Sequence, residues 1–297
     1  MTATADASGE LAGAAAGLPA LDGVLAKAAH ENFPVGPGFL PGRLRRDLLA
    51  IYGYARFVDD IGDETSATVS ERLAMLDLVD ADVSRLFAGQ QPSLPPLHAL
   101  VEPVRAGRMT EEPLRRLVEA NRLDQRVARY QDFAELRHYC TLSADPVGRL
   151  VLSCVGLATP ERIALSDQVC TGLQLIEHWQ DVAEDFRRGR VYLPQEDMRR
   201  FGVTDADFAA EHASPSLRAL LAFEAGRADR LLDAGLPLVA SMRGAAKLAV
   251  AGFVAGGKAA LHAIAAADFD VLPGAPKPTK TRTAREAIGV LRPGKSS

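Results

Sequence analysis

The stretch YGYARFVDDIGDE at residues 52–64 places Tyr52, Arg56, Asp59 and Asp63 at i, i+4, i+7 and i+11, so a helix carries them on one face. Asp60 and Glu64 lie beside that face, and Ile51, Phe57, Val58 and Ile61 supply a packing side. Carboxylates four apart on a helix repel one another and gain nothing from burial, so this helix calls for a compensating cation. A second stretch, LQLIEHWQDVAEDF, sets Gln174, Glu177, Asp181 and Asp185 at i, i+3, i+7 and i+11. Two such helices facing each other make a cage for hard divalent cations and the phosphate oxygens they hold, and the rest of the chain reads as its scaffold.

That scaffold is helical throughout. No alternating strand pattern, hairpin signal or short-period repeat occurs. Helical periodicity covers residues 21–30, 43–64, 70–88, 97–106, 111–130 and 133–140, then 161–188 as the longest helix, 204–212, 216–242 and 244–267. The expected fold is all-α, one domain built as a bundle of about ten helices around a central cavity. Residues 1–18, of Ala, Gly, Ser and Thr with two acids, are expected to be disordered, and residues 19–272 to form the helical domain. Residues 273–297 read as a basic, proline-containing tail, with six Lys or Arg against one Glu from Lys277 onward. Its first reading is a solvated end, and its second an electrostatic contact with anionic lipid heads.

A hydrophobic share of 47% in 297 residues suffices for a sizeable core, and a net charge of -4 speaks against nucleic acid as a partner. Cys140, Cys154 and Cys170 are odd in number and lack metal-ligand spacing, which points to a reducing compartment without a disulfide framework. The N-terminus lacks a signal-peptide pattern. The longest uncharged apolar run, residues 248–257, is too short to cross a bilayer. The reading is a cytoplasmic protein, with peripheral contact on the inner face of the membrane as its one membrane role.

The chemistry follows from the donors. All-oxygen ligands suit Mg²⁺, and no His or Cys is expected on the acidic faces at the spacing zinc requires. Arg56, one turn before Asp59, reaches a diphosphate oxygen, while Arg187, Arg188 and Arg190 read first as solvated loop residues and second as phosphate ligands. Metal and arginine around a diphosphate support its departure, and apolar walls keep the resulting carbocation dry. The loop HENFPVGPGFLP at residues 30–41 is equally a surface loop or a pocket lining. In TLSADPVGRLVLSCVGLA, Pro146 and Gly148 are either a packing kink or a backbone opening against a ligand, with the second favoured. A di-iron bundle needs two Glu-x-x-His motifs and only Glu135–His138 is present; a non-catalytic helical partner protein gives the acids no purpose.

From residue 30 to 272 the chain resembles the squalene/phytoene synthase family of head-to-head, trans-isoprenyl diphosphate synthases. DDIGDE is similar to the family's first aspartate-rich motif, and DVAEDFRRGRVYLP to its second with the trailing Arg-Gly-Arg-x-Tyr-hydrophobic-Pro. The resemblance implies the isoprenoid-synthase helical fold, with Asp59, Asp63, Asp181 and Asp185 holding Mg²⁺ bridged to diphosphate. It implies Tyr52 and Arg56 at the same catalytic site, Gln174, Glu177 and Tyr192 close by on the substrate, and His30, Phe33, Ser143, Val147 and Val151 along the prenyl chain. ENFPV, SADPVGRL and WQDV are most similar to the bacterial hydroxysqualene synthase branch of squalene and hopanoid biosynthesis. That branch implies ionisation of presqualene diphosphate, cation rearrangement and capture by water, without NADPH, and coupling to other squalene-pathway enzymes. Condensing members typically carry Arg before the second-motif Asp, where this chain has Gln180. The alternative activity is that condensation, of two prenyl diphosphates to presqualene diphosphate, squalene or phytoene. Two further departures are Glu177, preceded by Ile176, where the family often has Asn after a small polar residue, and Pro37 in place of an early-loop aromatic.

Overall fold

The computed structural model describes residues 18–19, 38, 40–63 and 66–292. The expected first helix, the start expected to be disordered, most of the 30–41 loop, and His30, Phe33 and Glu64 lie outside the described residues. Among the described residues all regular structure is helical, and extended pairing is limited to one isolated parallel bridge, Arg129 to Val191. These residues cluster into two compact units, one up to residue 127 together with 149–158, the other of 128–148 and 159–292.

In the first unit α1 (Gly42–Asp63) packs on α5 (Glu111–Asp124), α2 (Val69–Phe87) and the short α3 (Pro95–His98), with α4 (Val101–Arg105) beside α2. The apolar side of the first motif is the core of this unit: Phe57, Val58 and Ile61 have essentially no exposed surface. Tyr54 is equally buried, and its hydroxyl donates to the Leu114 carbonyl at 2.9 Å. α2 starts with a reciprocal cap, in which Thr68 Oγ1 accepts from Glu71 N–H and the Glu71 carboxylate accepts from Thr68 N–H. A cap of this kind contributes about 1 kcal/mol. Gly62 marks the closest approach of α1 to α5, since a Cβ there would stand 2.2 Å from Asn121 Oδ1. Its carbonyl accepts from Arg72 Nη1 at 3.0 Å and Gln125 Nε2 at 3.2 Å, which fixes the end of the motif helix.

The second unit is built on α8 (Pro160–Gln180) and α12 (Pro215–Ala240), which share its most extensive helix contact, with α13 (Gly244–Ala266) against both. Around them lie α6 (Phe133–Ser143), the start of α7 (Asp145–Cys154), α9 (Val182–Arg187), α10 (Gln195–Phe201) and α11 (Asp205–Phe208). By length and composition α13 could cross a membrane, which the ten-residue run did not suggest. It packs as a core helix, with Val254, Ala255, Ala259, Ala260 and Ile264 at zero exposure. Between α10 and α12 a sealed polar cluster forms. Arg227 Nη1 lies 2.9 and 3.0 Å from the two Glu224 oxygens and 3.0 Å from Asp197 Oδ2, with its guanidinium 4.1 Å over the Phe133 ring.

Several elements differ from the sequence expectation for physical reasons. The 161–188 helix breaks at Asp181, whose φ and ψ of -102° and 13° leave the helical region; Asp is a weak interior residue because its side chain competes for backbone groups. α12 is the longest helix instead, at 26 residues. The 111–130 helix stops at Asp124 because the following segment runs beside residues 191–196. Val191 N–H donates to Ala128 O at 2.9 Å, and Gln195 N–H to Tyr130 O at 2.9 Å. The 97–106 segment divides into α3 and α4, and 204–212 keeps only α11. Gly148 serves packing: a Cβ there would meet Ser166 Oγ at 2.3 Å and Cys170 Sγ at 2.5 Å, both on α8. The basic tail, expected as a solvated end, contains α14 (Lys280–Leu291), capped by Thr279 and lying on α13.

Candidate active site

The two acidic motifs belong to different units. Asp59 and Asp63 lie on α1, and Asp181 and Asp185 at the α8–α9 junction. On α1, Tyr52 is half-buried, Arg56 is 28% exposed, Asp59 is exposed and Asp63 is half-buried at the last position. Arg56 is tied within its own helix, with Nε 2.9 Å from Oδ1 of the buried Asp60 and Nη1 3.7 Å from Asp59 Oδ2. The surrounding protein desolvates the Asp59 carboxylate and Asp63 repels it, so its pKa rises to about 7 against the opposing pull of Arg56. Half of the Asp59 side chain still reaches solvent, so this is a recessed carboxylate, not a sealed one. Asn121, 5% exposed on α5 with its Nδ2 donating to the Leu117 carbonyl at 3.2 Å, also holds that pKa down.

At the second motif Asp181 is exposed at the helix break, and Asp185 follows one turn later, its N–H donating to the Asp181 carbonyl at 2.8 Å. Desolvation, then the charges of Asp185 and Glu184, push the Asp181 pKa up to about 6, while His178 and Arg188 pull it down. His178 Nδ1 stands 3.8 Å from Asp185 Oδ2, and its Nε2 lies 3.2 Å from Gln174 Nε2. A Gln174 N–H donated to Nε2 leaves the ring proton on Nδ1, toward Asp185. His178 thus stands beside Asp185, while among the described residues no His or Cys joins these carboxylates in a three-ligand cluster. Seven residues separate 178 from 185, two helical turns, and the interval was the available signal.

Tyr192 arrives from the Arg-Gly-Arg segment and stacks on His178 with centroids 3.7 Å apart at 13°, and Tyr139 and Tyr130 pack around it at 5.5 and 5.8 Å. His178, Asp185, Arg190, Tyr192, Val182 and Phe186 border a cleft of about 210 Å³. Arg188 pairs with Glu184 at 2.6 Å and Arg187 Nε donates to its own helix at the Ala183 carbonyl, as solvated loop arginines do. Glu177 is half-buried on α8, close in sequence to both His178 and Asp181. Ser143 ends α6, and Val147 and Val151 are half-buried on α7; among the described residues the buried Ser143 Oγ has no hydrogen-bond partner.

The donor types suit a hard divalent cation. Each motif offers two carboxylates, hard oxygen donors of the kind such an ion shares with phosphate and water; among the described residues no three His, Cys, Asp or Glu side chains converge. The raised pKa values of Asp59 and Asp181 reflect desolvation and like-charge crowding, both of which a cation relieves. Sequence reasoning missed Asn121 and His178. Asn121 lies 62 residues from Asp59 on another helix and carries no local pattern; His178 was legible only by spacing.

Residues 26–283 match the family model described as squalene/phytoene synthase. The chain is 36% identical over 214 residues to the hydroxysqualene synthase of Rhodopseudomonas palustris, covering 72% of each protein. It is 32% identical over 222 residues to the presqualene diphosphate synthase of the same organism, covering 69% of this chain and 78% of that one. The crystal structure of squalene synthase HpnC from Alicyclobacillus acidocaldarius superposes with a TM-score of 0.74 at 37% identity, over 86% of this chain and 98% of that one. A model match across most of its length, on a helical fold that presents both acidic motifs, makes this chain a member of the squalene/phytoene synthase family.

Proposed function

We propose that the chain converts presqualene diphosphate to hydroxysqualene in a Mg²⁺-dependent reaction within squalene and hopanoid biosynthesis. The similarity to hydroxysqualene synthase supports the reading, and one side chain carries it. Gln180, immediately before Asp181, is 4% exposed and donates through Nε2 to the Pro276 carbonyl at 2.7 Å. A position that typically holds Arg in condensing members of the family is thus spent on a neutral latch, which leaves one cation fewer for phosphate and favours a substrate with a single diphosphate.

Asp59, Asp63, Asp181 and Asp185 would hold Mg²⁺, which neutralises a diphosphate and eases its departure. Arg56, oriented by Asp60, offers further N–H groups to the phosphate oxygens. Tyr192 and Gln174 fix His178, and His178 in turn orients Asp185. The carbon–oxygen bond breaks with its electron pair leaving on diphosphate, and the cyclopropylcarbinyl cation rearranges. Water then adds to it, and its proton passes to solvent or diphosphate. No electron donor is consumed. His30, Phe33, Ser143, Val147 and Val151 are assigned to the prenyl chain, and the cytoplasm, with peripheral contact on the membrane's inner face, is the proposed location.

Incubation with presqualene diphosphate and Mg²⁺ but no NADPH is expected to release hydroxysqualene and diphosphate. Consumption of farnesyl diphosphate alone would replace this reading with condensation, the second reading, which the similarity to presqualene diphosphate synthase favours.

A further inference from the structure

Large exposed hydrophobic side chains are few among the described residues, and the most open of them is Ile288, 56% exposed on α14. This helix has two distinct sides. Arg282, Thr283, Glu286, Ala287, Val290 and Leu291 are half-buried and share the side that packs on α13. The outer side presents Thr281, Ala284, Arg285, Ile288, Gly289 and Arg292, with the exposed Lys277 and Lys280 preceding it. Glu286 is the one acid between Lys277 and Arg292, and it is engaged inward, 3.0 Å from Arg282 Nε and 3.3 Å from His262 Nε2. The outward charges are therefore all positive, on a chain whose net charge is -4.

We infer that α14 is a docking surface for an anionic lipid bilayer. Cations grouped about one protruding aliphatic side chain match the two layers of a membrane surface: Lys277, Lys280, Arg285 and Arg292 meet anionic headgroups, and Ile288 enters the acyl boundary. The small residues Ala284 and Gly289 beside Ile288 let the helix approach the headgroups closely. A nucleic acid would answer the charge and leave Ile288 in water. The inference deepens the proposed function and rests on it for its purpose, since a C30 product of that reaction leaves into lipid.

Cosedimentation with phosphatidylcholine vesicles, with and without phosphatidylglycerol, tests it. The protein is expected to bind only the phosphatidylglycerol vesicles and to be released by high salt. The double variant Lys280→Glu/Arg285→Glu should lose about tenfold or more in partitioning, and Ile288→Asp a smaller several-fold amount. Arg105→Glu, a charge reversal at an exposed site on α4, should bind as the parent does. All these sites are exposed, so thermal melts should coincide. Absence of binding to the anionic vesicles, or equal binding by the α14 variants, overturns the inference. Binding to heparin without binding to vesicles reassigns the surface to an acidic polymer, and a dimer abolished by Ile288→Asp reassigns it to self-association. Turnover of detergent-dispersed presqualene diphosphate is read separately. Its absence with vesicle binding intact removes the proposed reaction and leaves the lipid surface standing; its presence without vesicle binding does the reverse.

Discussion

Carboxylates are pushed toward neutrality in two kinds of place, at the acidic motifs and in the sealed cluster of α12. Burial raises Glu224 to about 8; the Arg227 charge pulls it back, and hydrogen bonding and charge from Asp197 push it up again. Glu224 has no exposed surface, and a guanidinium stacked on Phe133 answers it. Asp59 is raised to a similar value, yet half of its side chain is open. A perturbed carboxylate that is sealed and paired holds the fold together, whereas one that is recessed, crowded by a like charge and open to solvent is poised for a ligand. The same shift thus has two meanings, and exposure separates them.

The contrast predicts opposite phenotypes. Asp59→Asn, like Asp181→Asn, should lower kcat by about a hundredfold or more while the melting temperature holds or rises, because like-charge repulsion is relieved. A variant that keeps its turnover would place the recessed carboxylates among the structural ones. Arg227→Met should do the converse. It strands Glu224 and Asp197 in the interior and costs about 3 kcal/mol in urea unfolding, with kcat of the folded protein retained. Gly62→Ala tests whether the open motif depends on rigid support: its Cβ must displace Asn121, costing about 2 kcal/mol, with a drop in kcat that Asn121 repositioning explains. A stability loss with unchanged kcat would show that Asn121 does not steady Asp59.

The last prediction is a slope. Glu224 is protonated in the folded chain to higher pH than in the unfolded one, so its contribution is full below the ordinary carboxylate pKa and is lost as pH rises to about 8. Unfolding measured across that range should show parent stability declining with pH relative to Glu224→Gln. Parallel curves would mean that Arg227 keeps Glu224 ionised throughout.

The regular helices and the acidic faces were legible because a 3.6-residue period is a local property, and Phe57, Val58 and Ile61 point inward as their spacing requires. What was not legible depends on partners distant in sequence. The segment after Asp124 gives up helix to run beside 191–196, and only that pairing carries Tyr130 to Tyr192. Gly148 looked like an opening for a ligand because the sequence does not show Ser166 and Cys170 lying against it. The tail resembled solvated chain since its charge concealed a modest apolar side, Ala287, Val290 and Leu291, that needs α13 beneath it to form a helix.

The Gln180 latch joins residues 96 apart, so the neighbour of a proposed magnesium ligand is steadied by chain that follows α13. Shortening the protein after α13 would remove that steadying along with α14. Catalytic impairment in such a shortened form would report slackening at Asp181 and should not be read as proof that the removed segment touches substrate.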